Sequence, residues 1–312
     1  MTTPTNKSSN KPPDLTGPMV ALVTPMKPDG ALDLPRWSAL LAWHAEAGTQ
    51  GVVVAGTTGE SATLSQSEFS MLLKTAIDEV GDRLTVVAGT GSASTAATIE
   101  RTQQAAELGA HAALVVTPSY NRPPQRGLVA HYRAVADAAA LPIILYNVPG
   151  RTAVDLLPDT ALALVDHPGI VAIKEAVPDM QRVKQLVAGG LPVLSGDDGT
   201  AGQAMLAGAS GVISVAANVC PARFAKLAEA AAAGDEQTVA AVDAQLNELY
   251  AFLGIETNPI PAKWLLAEMG RIEHGLRSPL VNLDKRYHAQ GQALLKALTE
   301  TEDKIKDSID EA

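Results

Sequence analysis

Short runs rich in Val, Ile, Leu and Ala recur along the chain. They begin near Met19 (MVALVTP), Gly51 (GVVVAG), Thr85 (TVVAGT), Ala112 (AALVVTP), Pro142 (PIILYNV), Ile170 (IVAIKEA), Pro192 (PVLSG) and Gly211 (GVISV). Within these eight runs polar residues hardly alternate with apolar ones, the pattern of strands buried on both faces. Their starts lie 19 to 34 residues apart, which leaves room for a helix between each pair. The intervening segments carry helix signals. Ser65 stands three residues before Glu68, a capping box that opens a helix ending near Val80, before Gly81. Helical segments over 34–47 and 94–108 stop at Gly48 and Gly109. Eight such units predict an α/β fold, a closed (β/α)8 TIM barrel. The alternative is an open doubly wound sheet, but Thr24-Pro25-Met26 stands where its Gly-rich turn would follow the first strand.

After the eighth run the strand signal ends. Helical periodicity over 222–233, 236–253 and 284–298 predicts a small helical appendage behind the barrel. The chain therefore divides into a leader over 1–14, a barrel over 15–218 and a C-terminal helical region over 219–312. The leader is Thr, Ser, Asn, Pro and Lys without an apolar stretch, so it reads as a flexible segment rather than a secretory signal. The charge-rich stretch after Leu298 reads as the end of a helix.

Composition narrows the function. The 312 residues are 46% hydrophobic and 19% charged, a globular profile with a sizeable core. A net charge of −10 and the absence of basic runs exclude nucleic acid and anionic membranes as partners. No apolar stretch approaches the roughly 18 residues of a membrane span. The single cysteine, Cys220, cannot form an intrachain disulfide and suits a reducing, cytoplasmic compartment.

In a barrel, chemistry sits where strands end. The second strand runs into Gly56-Thr57-Thr58-Gly59-Glu60, and the fourth into Thr117-Pro118-Ser119-Tyr120-Asn121-Arg122. The fifth ends in Tyr146-Asn147-Val148-Pro149-Gly150-Arg151, the sixth in Lys174-Glu175 and the seventh in Ser195-Gly196-Asp197-Asp198. An amine at a barrel mouth loses hydration, which favours its neutral, nucleophilic form, so Lys174 is a candidate to attack a carbonyl. Its plainer role is a rim lysine paired with Glu175. Tyr146, one strand away, is placed to pass a proton, with Thr57 extending a relay, or else simply packs in the core. Arg151 follows a rigid Pro-Gly turn and offers a carboxylate a two-pronged grip, unless it is an ordinary surface arginine. Backbone amides and hydroxyls at 56–59 suit a small carboxylate, though the tetrapeptide also reads as a plain strand-to-helix turn. None of the six histidines ends a predicted strand, so neither a zinc site nor a Ser-His-Asp triad has its ligand, and no metal is expected. Nucleotide-binding Gly-rich loops are missing too. Asp197 and Asp198 read as helix caps rather than magnesium ligands.

Together these strings resemble the dihydrodipicolinate synthase family, of the N-acetylneuraminate lyase group of Schiff-base aldolases. Ile173-Lys174-Glu175-Ala176, Gly56-Thr57-Thr58-Gly59-Glu60 and Tyr146-Asn147-Val148-Pro149-Gly150-Arg151-Thr152 carry the resemblance, and Asn258-Pro259-Ile260-Pro261 extends it, over about 18–298. The resemblance implies that Lys174 forms an imine with pyruvate, with no separate cofactor. It implies that Tyr146 exchanges protons, linked through Thr57 to Tyr120, which reaches into a neighbouring subunit. Thr58 and the main chain at Ile213 would hold pyruvate, and Arg151 the carboxylate of aspartate semialdehyde. The product would be 4-hydroxy-tetrahydrodipicolinate, in lysine and diaminopimelate biosynthesis, and the assembly a tetramer built as a dimer of dimers.

Two other functions remain as alternatives. One is a sister aldolase acting on sialic acid or a 2-keto-3-deoxy sugar acid; sialate lyases usually lack this arginine and carry Ser-Thr at 57–58. The other is a non-catalytic barrel that binds small acids. Lysine-inhibited members of the family line a regulatory cleft with histidines, an asparagine, a glutamate and an aromatic residue. At the matching positions this chain has Gln66, Phe69, Ala93, Ala97 and Ser119, beside Ser61 and Ala62, which implies insensitivity to lysine.

Overall fold

The computed structural model describes residues 13–310, so the expected leader over 1–14 lies outside them except for its last two residues. Eight parallel strands close into a barrel in sequence order. They are β1 (Gly17–Ala21), β2 (Gly51–Val54), β3 (Thr85–Gly89), β4 (Ala112–Val116), β5 (Ile143–Asn147), β6 (Ile170–Glu175), β7 (Val193–Ser195) and β8 (Gly211–Ser214). β8 returns to pair with β1, Gly17 opposite Gly211. A Cβ on Gly211 would lie 2.2 Å from the Gly17 carbonyl oxygen, so this closure needs glycine.

Alternation along the strands sorts their apolar side chains into two cores. Met19, Ala21, Val53, Val87, Leu114, Ile144, Ala172, Leu194 and Ile213 fill the barrel interior. Their neighbours Val20, Val52, Val54, Val86, Val115, Leu145, Ile173 and Val212 face the surrounding helices. Both faces are therefore apolar, which is why the strands read as uninterrupted runs.

The helices start and stop where the sequence signals them. Ser65 caps Gln66–Val80 with the full capping box, and Asp33 caps Leu34–Glu46 through Arg36 N. Gly48 and Gly109 follow their helices with φ of +86° and +90°, a conformation glycine adopts without strain. Helix Pro221–Ala232 packs on β1 and completes the outer ring. Helices beyond the ring are Glu236–Leu253, Ile260–Glu268 and His288–Asp310. Helix Ile260–Glu268 has no periodic signature because Ile260 through Leu266 are all buried, leaving no polar face. The appendage does not lie wholly behind the barrel, as expected from sequence. Its Lys263 forms a buried ion pair, 2.5 Å, with Glu60 beyond β2, and the residues before its second helix reach the barrel mouth. Among the described residues no helix is long and apolar enough to cross a membrane.

Candidate active site

A cavity of about 230 Å³ opens at the C-terminal ends of the strands. Its apolar wall comes from Ala21, Val53, Leu114 and Val148. Tyr146 and Lys174 are register partners on β5 and β6, and strand alternation turns both side chains inward. Both are nearly buried, and Lys174 Nζ lies 4.6 Å from the centroid of the Tyr146 ring. Gly196 permits this placement: a Cβ there would come within 3.0 Å of Lys174 Cε.

The polar side of the cavity is built from the loop after β2 and the segment after β5. Ala55 and Glu60, at either end of the loop, adopt left-handed φ of 54° and 57°. Between them lie Thr57 and Thr58, both lining the cavity. Asn258 Nδ2 donates to Thr58 Oγ1 at 2.9 Å. A hydroxyl carries one proton, so with one lone pair engaged this proton is left to seek an acceptor. Arg151 sits on the single-turn helix Pro149–Thr152 and donates from Nη2 to the Asn258 carbonyl at 3.2 Å. Its exposed guanidinium still lines the cavity, with donors left over for an anion.

Two carboxylates stand close behind Lys174. Asp198 accepts from Val215 N at 3.1 Å and Ala216 N at 2.8 Å. Burial pushes its carboxyl above the usual range, opposed by the Ser214 hydroxyl, the backbone amide and the charge of Lys174. The acidic pair was expected to cap a helix. Asp197 does so in part, accepting from Thr200 N and Oγ1 before Ala201–Leu206. Asp198 instead braces the end of β8, because its half-buried carboxylate accepts from the backbone amides of Val215 and Ala216 just past that strand. Burial also pushes Glu175 up, against hydrogen bonds from Val177 N, Asn147 and Arg182.

The structure thus gathers Lys174, Tyr146, Thr57, Thr58 and Arg151 around one cavity. Ile213 lies in the interior cluster with its side chain among apolar neighbours, so any role there falls to its main chain. Tyr120 stands outside the cavity, 96% exposed and with a φ of 69°. Sequence reasoning did not single out Asn258, Gly196 or Val215 as cavity residues. For Asn258 the sequence offers an Asn-Pro turn signal and its place in the Asn258-Pro259-Ile260-Pro261 string, and neither says where it docks. Among the described residues no three His, Cys, Asp or Glu side chains come together as a metal site.

A (β/α)8 barrel with an amine and a phenol in its mouth has the architecture of the Schiff-base aldolases. The model of the dihydrodipicolinate synthetase family matches residues 14–298. A curated 4-hydroxy-tetrahydrodipicolinate synthase of Stenotrophomonas maltophilia (strain K279a) is 52% identical over 283 residues, covering 90% of this chain and 95% of that protein. The chloride-inhibited dihydrodipicolinate synthase of Acinetobacter baumannii, solved in complex with pyruvate, shares 46% identity at a TM-score of 0.89, over 91% of this chain and 98% of that one. A monomeric dihydrodipicolinate synthase variant shares 39% identity at a TM-score of 0.88, over 90% and 96%. The chain belongs to the dihydrodipicolinate synthetase family.

Proposed function

We propose that the chain condenses pyruvate with aspartate semialdehyde to 4-hydroxy-tetrahydrodipicolinate, a lyase step of lysine and diaminopimelate biosynthesis. The observation that carries this reading is the pairing of Lys174 with Tyr146 in a cavity that also presents Thr57, Thr58 and Arg151. The Lys174 amine attacks the keto carbon of pyruvate, and water leaves to give an imine. Tyr146 takes a proton from the methyl carbon, forming an enamine, and Thr57 passes it on. The enamine carbon then attacks the aldehyde, and the new alkoxide takes a proton back through Tyr146. The amine of the second substrate adds to the imine carbon, closing the ring and releasing Lys174. Atoms balance with one water lost, and no separate cofactor takes part.

Thr58 and the main chain at Ile213 hold the pyruvate end, and Arg151 grips the carboxylate of the aldehyde. Tyr120 completes the relay in a second copy of the chain, since its side chain is exposed and does not line its own cavity. This reading makes the enzyme a homotetramer, a dimer of dimers, acting in the cytoplasm; the one buried cysteine, Cys220, suits that compartment.

The test is borohydride reduction in the presence of pyruvate, followed by peptide mass spectrometry and a coupled assay with aspartate semialdehyde. A reduced three-carbon adduct at Lys174, lost in Lys174→Ala together with turnover, is expected. An adduct on another lysine would overturn the assignment, and turnover of sialic acid in place of aspartate semialdehyde would favour the sister aldolases.

A further inference from the structure

Immediately after Tyr146 and Lys174, the next register pair across β5 and β6 is Asn147 and Glu175, whose side chains turn away from the cavity. Asn147 Nδ2 donates to both Glu175 oxygens, at 2.9 and 3.1 Å, and to Asp155 Oδ1 at 2.8 Å. Its Oδ1 accepts from Leu156 N at 2.9 Å. Arg182, on helix Met180–Ala188, joins the same groups. It grips Asp155 with both terminal nitrogens, at 3.0 and 2.9 Å, and reaches Glu175 at 3.1 Å and the Leu156 carbonyl at 3.0 Å. The Glu175 side chain is wholly buried, and that of Arg182 is 13% exposed.

This arrangement pins three pieces of the site from outside it. Glu175 fixes the strand end that carries Lys174, and Asn147 does the same for Tyr146. Asn147 and Leu156 also bracket the short segment that bears Arg151. Two carboxylates meet in this network, one of them in full burial, so a cation is needed to hold them together. Arg182 is the guanidinium that does so, and neither it nor the two acids line the cavity.

We propose that Arg182 is a positioning residue: by clamping Glu175 and Asp155 it holds Lys174 against Tyr146 and fixes the reach of Arg151. The inference rests on the reading of the cavity as a Schiff-base site. It divides the clamp into two arms with separable effects. The Glu175 arm governs imine formation, and the Asp155 arm governs capture of the second substrate.

Purified full-length wild type, Arg182→Gln, Arg182→Lys and Asp155→Asn are compared by circular dichroism, borohydride trapping with pyruvate alone, and steady-state kinetics with aspartate semialdehyde. Arg182→Gln should slow both trapping and turnover, up to about 100-fold, the scale of an ångström's misplacement. Arg182→Lys, which keeps the charge, should recover part of the trapping rate but little of the aldehyde KM, because a lysine lacks the fork that spans Asp155. Asp155→Asn should raise the aldehyde KM while leaving trapping at the wild-type rate. A folded Arg182→Gln protein with wild-type trapping and KM overturns the proposal. If Arg182→Gln does not fold, Asp155→Asn decides alone, and an unchanged aldehyde KM overturns it. Wild type that traps no pyruvate refutes the Schiff-base reading itself, an outcome distinct from any of these.

Discussion

Lys174 and Tyr146 face each other as register partners on adjacent strands, with the lysine nitrogen 4.6 Å from the centre of the tyrosine ring. The ring therefore does two things that can be separated: its face lies against the amine, and its hydroxyl can move protons. Tyr146→Phe keeps the face and removes the hydroxyl. Borohydride trapping of pyruvate on Lys174 should persist, whereas turnover with aspartate semialdehyde should fall about 10²- to 10⁴-fold, the usual worth of a positioned acid–base group. Wild-type turnover in this variant would remove Tyr146 from the proton path.

A variant at Arg151 tests the two substrates separately in the same way. Its guanidinium is steadied by the Asn258 carbonyl at the cavity edge, away from the strand that carries Lys174. Arg151→Ala should leave pyruvate trapping intact and lower kcat/KM for aspartate semialdehyde. The loss of a hydrogen bond to a charged group costs about 1.5–3 kcal/mol, or roughly 10- to 150-fold. Equal damage to trapping and to aldehyde use would place Arg151 elsewhere in the cycle.

What the sequence made legible follows from burial. The strands stood out because both of their faces are apolar, and the observed strands start within two residues of the eight runs. Lys174 and Tyr146 were legible for the same reason, as polar groups at the ends of runs that otherwise exclude them. Helix Ile260–Glu268 was not, since burial all round erases the 3.6-residue period that announces a helix. Asn258 and Arg182 were hidden by distance rather than by pattern. Asn258 meets Thr58 from 200 positions along the chain, and Arg182 looks like any helix arginine until Glu175 and Asp155 are seen beside it.

Tyr120 tests whether one chain is sufficient. Its side chain is 96% exposed, so a hydroxyl in the relay has to serve another copy's cavity. Tyr120→Phe should lower turnover strongly, with the fold and pyruvate trapping preserved. Mixing this variant with Lys174→Ala under conditions that exchange subunits should restore activity, because some cavities then hold both an intact lysine and an intact partner tyrosine. Failure of the mixture to regain activity, with exchange verified, would confine catalysis to residues of a single chain.

Feedback by lysine is a separate matter of charge. Among the residues matching the regulatory cleft, Phe69 is wholly buried, with the Arg101 guanidinium 4.4 Å from its ring centroid, and Gln66 is hydrogen-bonded to Gln104. Ala93 offers only its carbonyl, which accepts from Asn121 Nδ2 at 2.8 Å, and Ala97 offers no acid. A ligand with two ammonium groups would meet a guanidinium here instead of a carboxylate, and an unpaired buried cation is costly. Initial rates should therefore be unchanged by lysine up to about millimolar, where binding is worth only ~4 kcal/mol. Half-inhibition well below that concentration would show that the cleft accepts lysine on other groups.

Acid stability should depend on a histidine far from the chemistry. His44 lies fully buried in helix Leu34–Glu46, its Nδ1 3.0 Å from the Thr49 hydroxyl and its Nε2 without a hydrogen-bond partner. Burial pushes the imidazole down from 6.5 to about 3, helped by the charge of Arg271. The unfolded chain therefore takes up this proton first as the pH falls. Between about 6.5 and 3 it binds more protons at this site than the native state does, so stability drops with decreasing pH across that window. His131, pushed down to about 4 by burial, adds to the same slope. Denaturant midpoints measured at about pH 7 and about pH 4.5 should fall less in His44→Gln than in wild type, because glutamine has no proton to take up. The comparison rests on the pH slope, so any constant loss from repacking at residue 44 cancels. Parallel slopes for the two proteins would mean that the acid limb is set by other groups.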